Sequence, residues 1–235
     1  MNKIKSIEVL NKQCHKVTKS NEIIQYTRNT MTYQQQMIIA YIISHINSKE
    51  DDLFKCFEFD VKDFCNICGI SIHNSTYIRK TLKALYDQPS IEIKINGCYV
   101  MFRWIEYCKI DTDAGIITVR LHSDLKPYLL ELQGKFTSYM LGDIVDLKSS
   151  RYVIPWYELF CSYSYLGTFK MTVEEIRDYF QIGTKYADFR DFKKKVVKMP
   201  IDEINNGSNA LKVTYEPIKK GRTITGFTFN IKRYY

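Results

Sequence analysis

Arg190, Lys193, Lys194 and Lys198 recur so that, at 100° per residue, they share one side of a helix over 186–198. Phe189, Phe192, Val196 and Met199 share the other side. A row of fixed cations does one kind of chemistry well: it displaces the counterions condensed on a polyanion. A guanidinium in that row can also pair bidentately with guanine O6 and N7, which are displayed in the DNA major groove. Arg190 is therefore the expected base reader. Lys193 and Lys194 are expected on bases or phosphates, and Lys198, further from the helix start, on phosphate. Val197 points toward the basic face, where packing against a neighbouring hairpin and contact with a thymine methyl are both open. Lys185 and Tyr186 precede the helix and are expected beside the DNA backbone. Lys219, Lys220 and Arg222 flank Gly221, whose conformational freedom suits a tight hairpin tip. That tip would lie in the minor groove or along phosphates.

Other chemistries lack their residues. The four histidines, 15, 45, 73 and 122, are scattered, and no His-x-His exists. Cys65-Asn-Ile-Cys68 has C-x-x-C spacing, but no second pair or H-x₃₋₅-H completes a zinc site. A redox role would need a thioredoxin-like βαβ setting, which is missing. There is no Gly-x-x-x-x-Gly-Lys-Ser/Thr loop for nucleotide, no Ser/His/Asp set and no paired-carboxylate site. No catalytic residue, cofactor or metal is therefore assigned, and the protein is expected not to be an enzyme. Seven cysteines, an odd number, are expected to be reduced thiols.

Composition agrees. The chain has 235 residues, 45% of them apolar, and a net charge of +8. Between Lys185 and Arg222 stand ten Lys/Arg against five Asp/Glu, so more than half of the excess sits in that stretch. Concentrated positive charge suits DNA, RNA or an anionic membrane. The longest apolar run, Met37 to Ile43, is far short of the roughly 20 residues that span a bilayer. The basic N-terminus has no apolar signal core, so the expectation is a cytoplasmic protein with no membrane partner.

The elements that must position these residues can be read in order. Residues 1–19 carry scattered lysines and are expected to form a mobile basic arm. Ser20 and Thr32 cap two helices, the second apolar through Ile42. A strand at 53–59 leads to Asp60, which caps a helix over 61–68. After a turn at 70–74, a helix from Ser75 to Tyr86 buries Ile78, Leu82 and Leu85. It turns Ser75, Thr76, Arg79, Lys80 and Lys83 outward. A strand at 91–95, an Asn96-Gly97 turn, one long return strand over 98–110 and a strand at 116–121 follow. Ser123 caps a helix over 124–132, and 133–147 reads as an interdomain linker. An aromatic helix comes next, with Pro155 in its first turn or bending it. Then come a strand at 169–171, a Thr172-capped helix over 173–180, a turn at 182–184 and the basic helix; Pro200 kinks it or ends its first segment, with 201–205 as its tail. Strands at 211–217 and 223–232 close the chain.

These two series repeat. Phe57, Phe59, Asp60, Val61, Phe64, Ile67 and Ile70 stand at one constant offset from Phe169, Met171, Thr172, Val173, Ile176, Tyr179 and Ile182. With the offset shortened by one, Ile78 and Leu85 match Phe189 and Val196. Strand, capped helix, turn, helix and hairpin is the order of a winged helix-turn-helix, whose second helix enters the major groove. The prediction is an α+β fold of two tandem winged helix-turn-helix domains related by an internal repeat. The first spans 20–132, and the second, the main DNA-binding domain, spans 148–235. In the first, Ser75, Thr76, Arg79, Lys80 and Lys83 take the roles given above to the second basic helix. Two linked modules would bind successive groove segments with raised effective concentration.

The chain resembles the iteron-binding plasmid replication initiators, the Initiator Replication family. Ser20-Asn-Glu-Ile-Ile24 and Met31-Thr-Tyr-Gln-Gln-Gln36 are similar to its N-terminal signature, as are Phe136-Thr-Ser-Tyr-Met140, Leu147-Lys-Ser149 and Tyr157-Glu-Leu159. So are Tyr186 to Lys194, Pro200-Ile-Asp-Glu-Ile-Asn205, Tyr215-Glu-Pro-Ile-Lys-Lys-Gly-Arg222 and Gly226-Phe-Thr-Phe229. Pro155-Trp156 departs from the basic-then-aliphatic pair of that pattern. The resemblance implies binding to direct repeats at an origin, help in opening an adjacent A·T-rich segment, and recruitment of a host replication initiator, helicase or primase. It also implies a homodimer in equilibrium with monomer that represses its own promoter. A tandem winged-helix transcriptional regulator with no replication role needs the same groove-reading residues.

Overall fold

The structure, a computed structural model, describes residues 15–28, 30–46, 56–68, 75–87, 91–95, 98–130, 132 and 134–234. It opens with β1 (Lys16–Ser20), α1 (Asn21–Tyr26) and α2 (Tyr33–Ser44). Local chemistry sets the helix starts. Ser20 Oγ accepts the Ile23 N–H, and Thr32 and Gln35 form a reciprocal capping box. α2 has almost no polar face: Tyr33, Gln35, Gln36 and every residue from Met37 to Ile43 are buried. The Gln36 amide is accommodated by donating to the carbonyls of Met31 and Arg151.

The first module follows as β2 (Phe57–Asp60), α3 (Val61–Cys68), α4 (Ser75–Tyr86), β3 (Ile91–Ile95), β4 (Cys98–Phe102), β5 (Ile105–Asp111) and β6 (Ile116–Leu121). Asp60 Oδ1 accepts the Lys62 and Asp63 N–H groups and starts α3. The sheet order is β2-β6-β5, and β3 pairs only with β4. The single strand expected over 98–110 is therefore two strands in two sheets. The chain changes sheets at Arg103-Trp104, where the buried Trp104 gives its carbonyl to the His122 N–H. The helix expected over 124–132 is shorter: a 3₁₀ turn, Ser123–Leu125, leads into α5 (Lys126–Leu129). Its cap is the His122 ring, which accepts the Asp124 N–H, rather than Ser123.

Two expectations need correction. The arm expected over 1–19 holds a strand at its end, since β1 pairs antiparallel with β7 (Phe136–Met140); residues 1–14 lie outside the described residues. The stretch 133–147, expected as a linker, contains β7 and a 3₁₀ turn, Leu141–Asp143. Each strand satisfies the other's backbone, and neither has a partner close in sequence. Lys19, far from waving in solvent, is buried and donates to Glu158 at 2.6 Å. Tyr139 of β7 donates to the same carboxylate oxygen. Burial beside that carboxylate pushes the Tyr139 phenol far above its ordinary pKa.

Glu158 belongs to α6 (Val153–Tyr163), in which every residue from Val153 to Ser162 is buried. Of the two placements open for Pro155, the first turn is the one it takes. The second module comprises β8 (Thr168–Thr172), α7 (Val173–Tyr179), a helical run over 189–207, β9 (Leu211–Lys220) and β10 (Thr223–Arg233), with sheet order β8-β10-β9. The strand order of the first module recurs, with the last strand in the centre.

The helical run begins as α8 (Phe189–Phe192), widens into a π segment, Lys193–Lys198, and continues as α9 (Met199–Gly207). Pro200 stands in the first turn of α9, just after the π segment ends at Lys198, and the run continues through it as the expected tail. Proline has no N–H for the Val196 carbonyl that an α-helix would give it. That buried carbonyl accepts Trp156 Nε1–H of α6 instead, at 2.7 Å. The π segment inserts an extra residue into the helical repeat. Val196 and Val197 are therefore both buried, and the buried face continues through Pro200, Ile201 and Ile204. Met199, expected on the apolar stripe, is 45% exposed for the same reason.

Trp156→Phe keeps the ring but leaves the Val196 carbonyl without its donor. Urea unfolding is expected to show a loss of about 1–3 kcal/mol with an unchanged slope against urea; an unaltered midpoint would mean that the carbonyl finds another donor.

Candidate nucleic-acid interface

The second module's basic helix is placed by what precedes it. Thr172 and Glu175 form a capping box that starts α7. A turn at 180–188 then carries three left-handed residues, Gln181, Gly183 and Tyr186. Asp188 stops the turn and begins α8, its Oδ1 accepting the Arg190 N–H at 2.6 Å. Phe192, Val196 and Val197 anchor the helix in the core at 0% exposure. Val197 thus packs inside, which closes the thymine-methyl option.

The anchored side leaves Arg190, Lys194 and Lys198 exposed, with Lys193 half-buried. Lys185 is exposed in the turn, whereas Tyr186 is half-buried, its ring edge-on to Tyr152. Lys198 lies 2.5 Å from Asp202, one helical turn on. Both side chains are about half exposed, so water screens the pair and another anion can replace Asp202 at little cost. Two residues escaped the sequence reading. Lys195 is exposed and sits over the Tyr186 ring at 5.3 Å, and its only sequence signal is membership of a lysine triplet. Arg177 of α7, marked in sequence only as a cation in a last helical turn, donates into the 180–188 turn.

The β9–β10 hairpin supplies the other cations. Its pairing with β8 ends at Gly226 opposite Thr172, yet β9 and β10 stay paired out to Lys220 opposite Thr223. The hairpin therefore projects beyond the sheet. At the tip Lys219, Lys220 and Arg222 are exposed, and Gly221 takes the left-handed conformation (φ +61°) that the turn needs. Gly226 marks the bulge where the hairpin leaves the sheet. A Cβ there would lie 2.6 Å from the Met171 carbonyl oxygen, so only glycine fits.

The first module offers a different surface. Thr76, Arg79, Lys80 and Lys83 are exposed on α4, opposite the buried Ile78, Leu82 and Leu85. The Ser75 side chain lies outside the described residues. Lys83 pairs with Asp87 at 2.5 Å, again on the exposed face. The β5–β6 hairpin turns as soon as it passes β2, because Asp60 already faces Ile116, the first residue of β6. Its tip is tied down: the Val61 N–H donates to the Gly115 carbonyl, and Asp111 accepts the Ala114 N–H. Asp111, paired with Lys109 at 3.6 Å, and Asp113 leave it with a net negative charge where the second tip is basic. Between this tip and the starts of α3 and α4 lies a crevice of about 860 Å³, bordered by Asp60, Lys62, Thr76, Arg79 and Asp113.

Cys65 is buried, and burial raises its thiol pKa. Among the described residues no group of three or more His, Cys, Asp or Glu could hold a metal ion. No helix among them is long and apolar enough to cross a membrane.

Comparison with known proteins gives two family matches. Residues 16–161 match the Initiator Replication protein, WH1, and residues 172–231 match the Initiator Rep protein, WH2. The gap between the matches runs from the last residues of α6 into β8. Among solved structures, the crystal structure of the Pi initiator protein in complex with iteron DNA aligns with a TM-score of 0.77 and 21% identity. That alignment covers 93% of this chain and 97% of the other. Domains 2 and 3 of RctB align with a TM-score of 0.50 and 15% identity over 87% of this chain and 83% of that one. Both likenesses concern the fold.

Asp188→Ala removes the side chain that starts the basic helix. It is expected to cost about 0.5–2 kcal/mol in urea unfolding, with Asp188→Asn recovering most of the loss; equal losses in both variants would assign the effect to charge rather than capping.

Proposed function

The chain belongs to the Initiator Replication protein family, and we propose that it is a plasmid replication initiator that binds direct repeats, iterons, at its origin. The observation that carries this reading is the joint surface of the second module. A core-anchored helix presents Arg190, Lys193 and Lys194, and a projecting hairpin presents Lys219, Lys220 and Arg222. A helix of this kind fits the major groove, while a hairpin tip reaches the adjacent backbone or minor groove. In this reading Arg190 pairs with a guanine, Lys193 and Lys194 meet bases or phosphates, and Lys185, Tyr186 and Lys198 hold the backbone. Lys198 exchanges Asp202 for a phosphate as it does so. In the first module Thr76, Arg79, Lys80 and Lys83, with Ser75, contact DNA through α4 alone, because a short acidic tip repels phosphate.

The finer parts of the proposal are those of the family. Binding helps open an adjacent A·T-rich segment and recruits a host replication initiator, helicase or primase. A homodimer in equilibrium with the monomer represses the protein's own promoter, and the protein works in the cytoplasm. Footprinting on the DNA flanking its gene tests the reading. Several direct repeats protected in one orientation are expected. A single protected inverted repeat over a promoter, with no autonomous replication conferred, would instead make the protein a tandem winged-helix regulator.

Arg190→Ala is expected to weaken the specific site by about 1–3 kcal/mol and relax the choice at one base pair. Equal weakening on random DNA would make Arg190 a phosphate contact. Lys220→Ala is expected to weaken all sequences alike and to reduce the slope of log K against log salt by about one unit. An unchanged slope would take the hairpin tip out of the interface.

A further inference from the structure

We propose that Arg177 is the positioning residue of the DNA-reading helix: its guanidinium clamps the turn that launches α8 and fixes the direction in which the basic face points. The proposal rests on α8 and its π extension being the groove-reading helix.

The turn is costly on its own. Gln181 and Tyr186 are non-glycine residues with φ of 47° and 54°, left-handed conformations that side chains disfavour. Its start is held by backbone bonds from the Phe180, Gln181 and Ile182 N–H groups to the Ile176, Asp178 and Arg177 carbonyls, and its later part by Lys185 N–H to the Ile182 carbonyl. The carbonyls of Gly183, Lys185 and Tyr186 converge instead on one side chain. Arg177 Nη1 donates to the first two at 3.3 and 3.0 Å, and Nη2 donates to the third at 2.7 Å.

The same guanidinium lies over the Phe192 ring, 4.7 Å from its centroid. Phe192 is fully buried and belongs to the first turn of the reading helix. One planar group thus joins both sides of the Asp188 cap, the turn before it and the helix after it. Only a fork with donors on separate nitrogens can reach three carbonyls while its face covers a ring; an ammonium has one nitrogen and no face.

The base of the clamp is itself fixed. The next two residues of α7 reach the other way: Asp178 pairs with Arg28 at 2.6 Å, and the Tyr179 hydroxyl donates to the Ile24 carbonyl at 2.9 Å. The buried Tyr179 bond therefore anchors the last turn of α7 to α1, the exposed Arg28 pair reaches the residues just after α1, and Arg177 carries that anchorage to the reading helix. With three of its five N–H donors engaged and one face over Phe192, Arg177 acts through the turn and leaves phosphates to the lysines.

The test uses the full chain with Arg177→Lys and Arg177→Ala, the lysine variant keeping the charge and the aliphatic stem. Without DNA, amide hydrogen exchange over 183–192 is expected to speed up about tenfold or more in both, with exchange in β9 and β10 unchanged. With DNA, affinity for a duplex carrying the footprinted repeat is expected to fall about tenfold or more. Affinity for a random duplex is expected to stay within about twofold, and the salt slope to stay at its wild-type value. Wild-type exchange in Arg177→Lys would overturn the clamp, because charge alone would then suffice. A slope lowered by about one unit would overturn it by making Arg177 a phosphate contact. If the unaltered chain failed to tell the two duplexes apart, the initiator reading would fall, and the exchange measurement would still decide the clamp.

Discussion

The burial of α6 on every side is the constraint from which the rest follows. Trp156, Tyr157 and Phe160 are fully buried, and no stripe of that helix is left for water. A helix apolar all round needs cover on two sides at once. One cover is the β1–β7 pair with α1, through Lys19, Tyr139 and Glu158 and through Gln25 bonded to Ser162. The other is the second module, where Trp156 and Phe160 pack against Phe229 and Trp156 against Phe180. Removing either cover would expose large aromatic surface, each such side chain being worth several kcal/mol of burial. The N-terminal segment and the second winged helix are thus parts of one core, with α6 as the shared wall.

That wall also reaches the basic surface. The Trp156 indole donates to the carbonyl that a proline at 200 cannot serve. The π segment beside it shifts the buried face by one residue and brings Val197 inward. The lysines of the segment are displayed as they are because the helix changes its pitch under them. Arg177 and Asp188 control the same helix from its other end.

The two modules share one topology and differ in electrostatics. β2-β6-β5 and β8-β10-β9 have the same strand order, and both second helices turn cations outward. The hairpins diverge. One projects and carries Lys219, Lys220 and Arg222, while the other stops at its sheet, tied to Val61, and carries Asp111 and Asp113. In the proposed complex, charge therefore divides the work: the second module grips the duplex with helix and tip, and the first adds its helix only.

Much was legible in the sequence because it is local. The caps at Ser20, Thr32, Asp60 and Thr172 are side chains bonding to amides two or three residues on. The outward face of α4 follows from helical spacing, and the basic hairpin tip from lysines around a glycine. The repeat joined these pieces into two winged helices, and the resemblance gave them a family. The remainder depended on partners distant in the chain. Nothing near Lys16–Ser20 announces a strand, because its mate is Phe136–Met140. Nothing near Lys19 announces burial, because its counterion is Glu158. The break at Trp104 is silent, because both halves of that stretch read as strand and only their pairing separates them. Met199 fell on the wrong face because fixed helical periodicity cannot anticipate a π segment that a tryptophan on another helix makes affordable. Sequence alone determined where the capped helices begin and which charges the basic helix and hairpin tip carry, since those depend on neighbours within a few residues. Tertiary structure decided which backbone groups found donors and which faces met water, since those depend on what the fold brings alongside.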